Sequence, residues 1–179
     1  MSNLIFLRAQ DFYNDQGPKG KILCNSQKGL CLVLFHADAS QCTHCEETIP
    51  EFKKLPYRMP GVKFALCNVN ANRQLITLSS GTNTQLEYVP YIVLYANGRP
   101  IMRYDGERNL KSMLEFLTDV VNRLQNQKSF TDNKNIKVES DVTTYKYGTE
   151  YNVVCDAERG ICYLAQSEAY PGLRGGTRK

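Results

Sequence analysis

Residues 30–52 read LCLVLFHADASQCTHCEETIPEF. The run Leu30–Phe35 is unbroken and apolar, as expected for a strand buried on both faces. A polar loop, His36–Gln41, follows. From Cys42 the pattern turns helical, because Cys45, Ile49, Phe52 and Leu55 recur near the helical period. Pro50 sits inside this segment and predicts a kink. This order of strand, loop and helix puts Cys42 and Cys45 on a first helical turn. Two thiols there can close a disulfide with little backbone motion. The helix N-terminus adds unpaired N–H groups and about half a positive charge, which favour a thiolate at Cys42. Cys42 is therefore expected to be a partly exposed nucleophile, and Cys45, one turn in, the resolving thiol. Zinc ribbons use the same spacing. A zinc site would want a second ligand pair, however, and Cys155/Cys162 has the wrong spacing, while His36 is the only other histidine beside His44.

Working outward, Leu4–Leu7 is a short strand candidate. Residues 8–29 are mixed, with a Gly-Pro turn at 17–18 and a short helix near Asp11–Asp15. Val62–Val69 predicts a strand and Ala71–Ser80 a helix with Leu75 and Leu78 inward. Residues 88–106 read YVPYIVLYANGRPIMRYDG. Here Tyr91–Tyr95 is a strand, Asn97-Gly98 a hairpin turn, and Ile101–Tyr104 the returning strand. Pro90 cannot donate to a sheet ladder, so it belongs at a strand start. Leu110, Met113, Leu114, Leu117, Val121 and Leu124 form one apolar helical stripe, read as core packing. After Gln127 the chain turns polar, and 151–165 reads as a hairpin with its loop at 157–160.

These two stretches resemble the thioredoxin family. The first is similar to its strand, active-site loop and kinked helix, and the second to its cis-proline loop and terminal hairpin. The resemblance covers roughly residues 1–127. It implies an α/β, thioredoxin-like fold, with a central mixed sheet flanked by helices. It also implies that Val89 and Pro90 lie against the dithiol, with Val89 offering backbone hydrogen bonds to a bound peptide. Departures from the family pattern are equally specific. Gln41 stands where the family has tryptophan, and the loop 36–41 is about two residues longer. The buried acid that takes a proton from the resolving thiol aligns with Leu34, or with His36 in an ungapped alignment, so the carboxylate is missing. His44 matches the isomerase and periplasmic-oxidase branches. A histidine there would stabilise the Cys42 thiolate and make the disulfide more oxidising.

The chain has 179 residues and seven cysteines, an odd count with uneven spacing. That pattern predicts a reducing compartment with most thiols free. Cys24, Cys31 and Cys67 read as small buried hydrophobes, and His36 as a loop or core histidine. Glu46 and Glu47 suit a first helical turn. With a loop at 157–160, Cys155 and Cys162 fall directly opposite each other, either as a strained cross-strand bridge or as two buried thiols. Residues 172–179 carry three of the four net positive charges, so the body is near neutral and shows no basic stripe for nucleic acid. No apolar run approaches a membrane span, and no secretory signal is evident.

The expected organisation is a thioredoxin-like domain at 1–127 and a C-terminal extension at 128–179. The extension comprises a linker, the hairpin 151–165 and a flexible basic tail at 172–179. The expected activity is thiol–disulfide exchange on protein disulfides or dithiols. Cys42, Cys45 and His44 are the catalytic candidates, Val89 and Pro90 the substrate-binding ones, and neither cofactor nor metal is called for. The alternative is a structural or adaptor protein within a large assembly such as a virus particle, reaching a partner through 128–179. Cytoplasm is the expected location, with the virion as the alternative, and neither membrane nor nucleic acid is an expected partner.

Overall fold

The computed structural model describes residues 4–129, 155–156 and 161–163. Strand β1 (Leu4–Phe6) and a short 3-10 turn (Ala9–Asp11) lead into the hairpin β2 (Phe12–Gly17) and β3 (Gly20–Asn25). Then follow β4 (Leu30–His36), α1 (Thr43–Lys54), β5 (Lys63–Asn68) and α2 (Gln74–Ser79). The remaining elements are β6 (Tyr88–Val89), β7 (Tyr91–Ala96), β8 (Arg99–Tyr104), α3 (Leu110–Ser129), β9 (Cys155–Asp156) and β10 (Ile161–Tyr163). The central sheet has the order β1-β5-β4-β7-β8. β1, β5 and β4 run parallel, while β7 and β8 run antiparallel to their neighbours. The expected mixed sheet is present.

β4 explains the layering. Cys31 through Phe35 are all 0% exposed. Because side chains alternate across a strand, Leu32 and Leu34 fall into one core with Phe52, Phe64, Leu66, Ile92, Met113 and Leu117. Cys31, Val33 and Phe35 fall into the other with Ala65, Cys67, Leu75, Tyr91, Val93 and Tyr95. The apolar stripe of α3 packs as expected, with Met113, Leu117 and Val120 buried and Leu110, Leu114, Val121 and Leu124 against them. α3 is tied to α1 by Glu51, whose Oε2 accepts the Leu110 N–H at 3.1 Å.

The helix expected near Asp11–Asp15 is corrected: Phe12–Gly17 is a strand that pairs in full register with Gly20–Asn25. Only Phe12 is buried in this strand, against Phe35 at 5.5 Å between ring centroids, and the rest is polar and half-exposed or exposed. Without an alternating pattern the sequence carries no strand signal there. Its partner supplies the burial, through Ile22, Leu23 and Cys24, each 0% exposed. The hairpin is stitched to the sheet by Asn25 N–H donating to Gly98 O at 2.8 Å and by the Arg99–Asp15 ion pair at 3.0 Å. Strand β1 and helix α2 are shorter than their sequence candidates. Most of the linker, the outer parts of the hairpin 151–165 and the basic tail 172–179 lie outside the described residues. The two described hairpin strands pair Cys162 with Cys155 and Ile161 with Asp156, the register that a loop at 157–160 requires.

Asn97 (φ +50°) and Gly98 (φ +80°) make the turn between β7 and β8. Both central residues are left-handed, as a primed hairpin turn demands. A Cβ on Gly98 would stand 2.1 Å from the Asn25 carbonyl oxygen, whereas a Cβ on Gly29 (φ +77°) would meet nothing within 4 Å. Gly29→Ala is expected to cost about 1 kcal/mol for its backbone conformation. Gly98→Ala should cost more, by at least about 1 kcal/mol, because Asn25 holds the β2–β3 hairpin in place. Urea unfolding of the two variants checks the difference, and equal losses would contradict it.

Candidate active site

The site forms where β4 releases the chain and α1 begins. Asp38 O accepts the N–H groups of Gln41 and Cys42, closing the loop. Asn68 at the end of β5 donates through Nδ2 to Asp38 Oδ1 at 2.6 Å and anchors it. Cys42 is the N-cap of α1, with extended backbone (φ −145°, ψ 95°). Its Sγ accepts the Cys45 N–H at 3.2 Å. The sulfur thus does what a serine hydroxyl does at an ordinary N-cap: it satisfies a donor that the first turn leaves unpaired.

The two thiols are driven in opposite directions. The Cys45 thiol donates to Cys42, and this bond is the largest influence holding the Cys42 pKa below the ordinary thiol range. Burial opposes it; the Cys45 and His44 backbone bonds and the Arg108 guanidinium add to it. The Cys45 pKa is pushed far up, first by its bond to Cys42 and then by burial, against the weaker pull of the Ala37 backbone and Arg108. Of the two, Cys42 is therefore the more readily ionised thiol and Cys45 the more firmly protonated one. The expected partial exposure of Cys42 is corrected: the residue is 1% exposed. An N-cap sulfur with this bonding stays ionisable in spite of burial, because the helix N–H groups replace the water it loses.

Val89 lies in the same buried cluster as Cys42 and Cys45, with Tyr88 and Tyr91. The Val89–Pro90 peptide bond is cis, as the resemblance implied. Leu34 is 0% exposed and lies in the core with Phe52 and Ile92. No Asp or Glu is buried among the described residues, so the missing carboxylate is not replaced by another buried one there. His36 ends β4, donates from Nδ1 to Ala37 O at 2.9 Å, and has its pKa lowered by burial. The His44 imidazole stands 3.8 Å from the Glu47 carboxylate, and the part of His44 that addresses Cys42 is its backbone N–H. Cys24, Cys31 and Cys67 are buried free thiols, and burial pushes Cys31 and Cys67 up to about 12. They are core residues. Among the described residues no three His, Cys, Asp or Glu side chains gather as a metal site.

Arg108 is the residue that sequence reasoning missed. It lies half-buried between β8 and α3, and its charge acts on Cys42, Cys45 and Tyr88 together. Nothing in the local string Gly106-Glu107-Arg108-Asn109 marks it, since a loop arginine ordinarily faces solvent.

The family model described as Thioredoxin matches residues 20–119. The chain belongs to the thioredoxin family. It is 28% identical over 183 residues to the uncharacterized protein 196R of Invertebrate iridescent virus 6, covering 96% of each chain. It is 27% identical over 143 residues to the uncharacterized protein 020R of Invertebrate iridescent virus 3, covering 78% of each. Among solved structures, Fasciola hepatica thioredoxin is 26% identical over 52% of this chain and 83% of that one, with a TM-score of 0.42. The first two thioredoxin domains of Naumovozyma dairenensis Eps1p are 25% identical, over 51% of this chain and 34% of that one, with a TM-score of 0.43. The strands β9 and β10 lie beyond the matched residues 20–119.

Because the His44 contribution to Cys42 runs through its amide, two substitutions separate backbone from ring. His44→Pro removes the N–H and is tolerated in a first helical turn. It should raise the Cys42 pKa and lower the Cys42/Cys45 reduction potential by tens of millivolts, where 30 mV is about 1.4 kcal/mol. His44→Ala keeps the amide and should move the potential by less than half as much. Equilibration against glutathione measures both, and an equal shift in the two variants would return the role to the imidazole.

Proposed function

We propose that this chain is a thiol–disulfide oxidoreductase acting on protein disulfides or dithiols through Cys42 and Cys45. The observation that carries the proposal is the opposed ionisation of the pair, with Cys42 capping α1 as the favoured thiolate and Cys45 held protonated beside it. In the reducing direction, Cys42 thiolate attacks one sulfur of a substrate disulfide and expels the other as a thiolate. Cys45 then gives up its proton and attacks Cys42 Sγ. That step releases the second substrate sulfur and leaves the Cys42–Cys45 disulfide. The net transfer is two electrons and the Cys45 proton to the substrate, whose other thiolate takes its proton from water, and the reverse sequence oxidises a dithiol. His44 sets the poise of the pair through its amide. Val89, in the buried cluster of the two thiols, and Pro90 after it are the residues that would meet a bound peptide.

An adaptor role in a large assembly is the second reading, favoured by one observation: Cys42 is almost fully buried. The cytoplasm is the setting that goes with the oxidoreductase reading, and the virion the one that goes with the adaptor role.

Reduction of insulin by the full-length chain with dithiothreitol tests the first reading. Cys42→Ser is expected to reduce the rate at least a hundredfold. Cys45→Ser should accumulate a mixed disulfide through Cys42 that gel electrophoresis without reductant reveals. If Cys42→Ser retains the wild-type rate, the chain is not an oxidoreductase through this site, and the adaptor role takes its place.

A further inference from the structure

We propose that the Cys155/Cys162 pair is an internal redox partner of Cys42/Cys45, the two pairs exchanging one disulfide through a Cys42–Cys162 mixed disulfide. The inference rests on the reading of Cys42 as the attacking thiolate. It starts from the strand register. β6 is only two residues long, Tyr88–Val89, and ends at Pro90. Its strand partner is β10, which places Cys162 opposite Val89 and Tyr163 opposite Tyr88. β10 pairs in turn with β9, which places Cys155 opposite Cys162. Val89, Cys162 and Cys155 therefore form one line across a three-stranded sheet of order β6-β10-β9.

That line begins in the buried cluster that holds the dithiol, since Val89 belongs to it with Cys42 and Cys45, and the Arg108 charge reaches both thiols and the neighbouring Tyr88. Directly opposed residues in antiparallel strands stand about 4.5 or 5.5 Å apart at Cα, inside the roughly 4.4–6.8 Å that disulfides span. The register thus permits a Cys155–Cys162 bridge and puts its nearer member one strand spacing from Val89. One edge of β6 is thus already taken by the chain's own strand β10. Cys42 is 1% exposed, and a disulfide supplied from within the chain would meet it without a second protein having to reach a buried sulfur. Burial among core residues alone would explain either cysteine singly. It gives no reason for two cysteines in register with each other and with the residue before Pro90.

The exchange is balanced within the chain. Cys42 thiolate attacks the Cys162 sulfur of a Cys155–Cys162 disulfide and expels Cys155 as a thiolate. Cys45 loses its proton and attacks Cys42 Sγ, which frees Cys162 as a thiolate. One disulfide is formed and one is broken, with two electrons passing from the Cys42/Cys45 pair to the Cys155/Cys162 pair. The Cys45 proton ends on one sulfur of the second pair, and the other remains a thiolate or takes a proton from water. A substrate protein disulfide can then be reduced by the hairpin dithiol, so the hairpin carries electrons outward from a buried centre.

The test uses the full-length Cys45→Ser/Cys155→Ser chain, reduced and then given oxidised glutathione. One thiol takes up glutathione and the other expels it. The expected product is a Cys42–Cys162 disulfide, found by mass spectrometry of a non-reduced digest. It should exceed any link to Cys24, Cys31 or Cys67 at least tenfold and form at a rate independent of protein concentration. Cys42 remaining as its glutathione adduct, or linking only between chains, would overturn the proposal. Should that variant not fold, the unmodified chain is oxidised with one equivalent of diamide, quenched in acid and mapped. Both Cys42–Cys45 and Cys155–Cys162 disulfides are then expected, and Cys155 and Cys162 persisting as thiols beside a complete Cys42–Cys45 disulfide would refute the relay. Insulin reduction separates the two levels. Cys42-dependent reduction without the Cys42–Cys162 link removes the relay and leaves the oxidoreductase. The link without insulin reduction leaves the internal exchange and removes the external activity.

Discussion

The pairing of β4 on both edges, with cores on both faces, is the constraint from which the rest of the molecule follows. Val33 is opposite Ala65 in β5 and Val93 in β7, so the strand has no free edge. A slip of one residue would exchange Leu32 and Leu34 with Val33 and Phe35 across the sheet and mismatch both cores at once. Several buried large side chains would be misplaced, each worth about 1.5–3 kcal/mol. The register in turn fixes where the chain leaves the sheet. His36 O accepts the Val69 N–H at 2.8 Å, and the Ala37 backbone, next in line, reaches Cys45. The position of the dithiol is thus a consequence of core packing some residues earlier.

At the site, the contest is between burial and hydrogen bonding. Burial raises both thiols, yet Cys42 ends below its ordinary range and Cys45 far above it. The asymmetry comes from the helix terminus. Cys42 receives the N–H groups of the first turn and the Cys45 thiol, while Cys45 sits one turn inside, where the backbone donors are already spent. One unit of pKa is about 1.4 kcal/mol, so a few such bonds are enough to decide which sulfur is charged. Cys31 and Cys67 are the control within the same molecule: buried in strands without those donors, both rise to about 12.

Much of this was legible in the sequence because the signals were local. The apolar run at Leu30–Phe35, the two-residue spacing between Cys42 and Cys45, and Asn97-Gly98 each state a conformation through neighbouring residues. Pro90 needed the resemblance as well. The β2–β3 hairpin was not legible, because Phe12–Gly17 buries one side chain and is otherwise polar, and its strand character comes from pairing with Gly20–Asn25. Arg108 was hidden for a related reason. Its importance depends on β8 and α3 meeting near Cys42, a distance in sequence that no spacing rule spans. The burial of Cys42 and the register of Cys162 on Val89 are also tertiary facts. Sequence could place Cys155 opposite Cys162, since a hairpin register follows from loop length, but not say against which strand the hairpin would lie.

The absence of a carboxylate at Leu34 bears on how Cys45 could lose its proton in the proposed reaction. The two influences on Cys45 that belong to Cys42 are the hydrogen bond between the thiols, its largest, and the negative charge of Cys42. Both depend on Cys42 being a thiolate. Once Cys42 is bonded to a substrate sulfur its charge is gone, and both influences vanish together. Burial then remains, opposed by the Ala37 backbone and by Arg108. Formation of the mixed disulfide would therefore itself lower the Cys45 pKa, at the moment when a second nucleophile is required. The departing sulfur of the substrate leaves as a thiolate and is the natural acceptor for that proton. On this account a buried acid would speed the resolving step but is not a requirement for it. The order of the two attacks is set by the charge on Cys42: while that charge persists Cys45 is held back, and when it is consumed Cys45 is released.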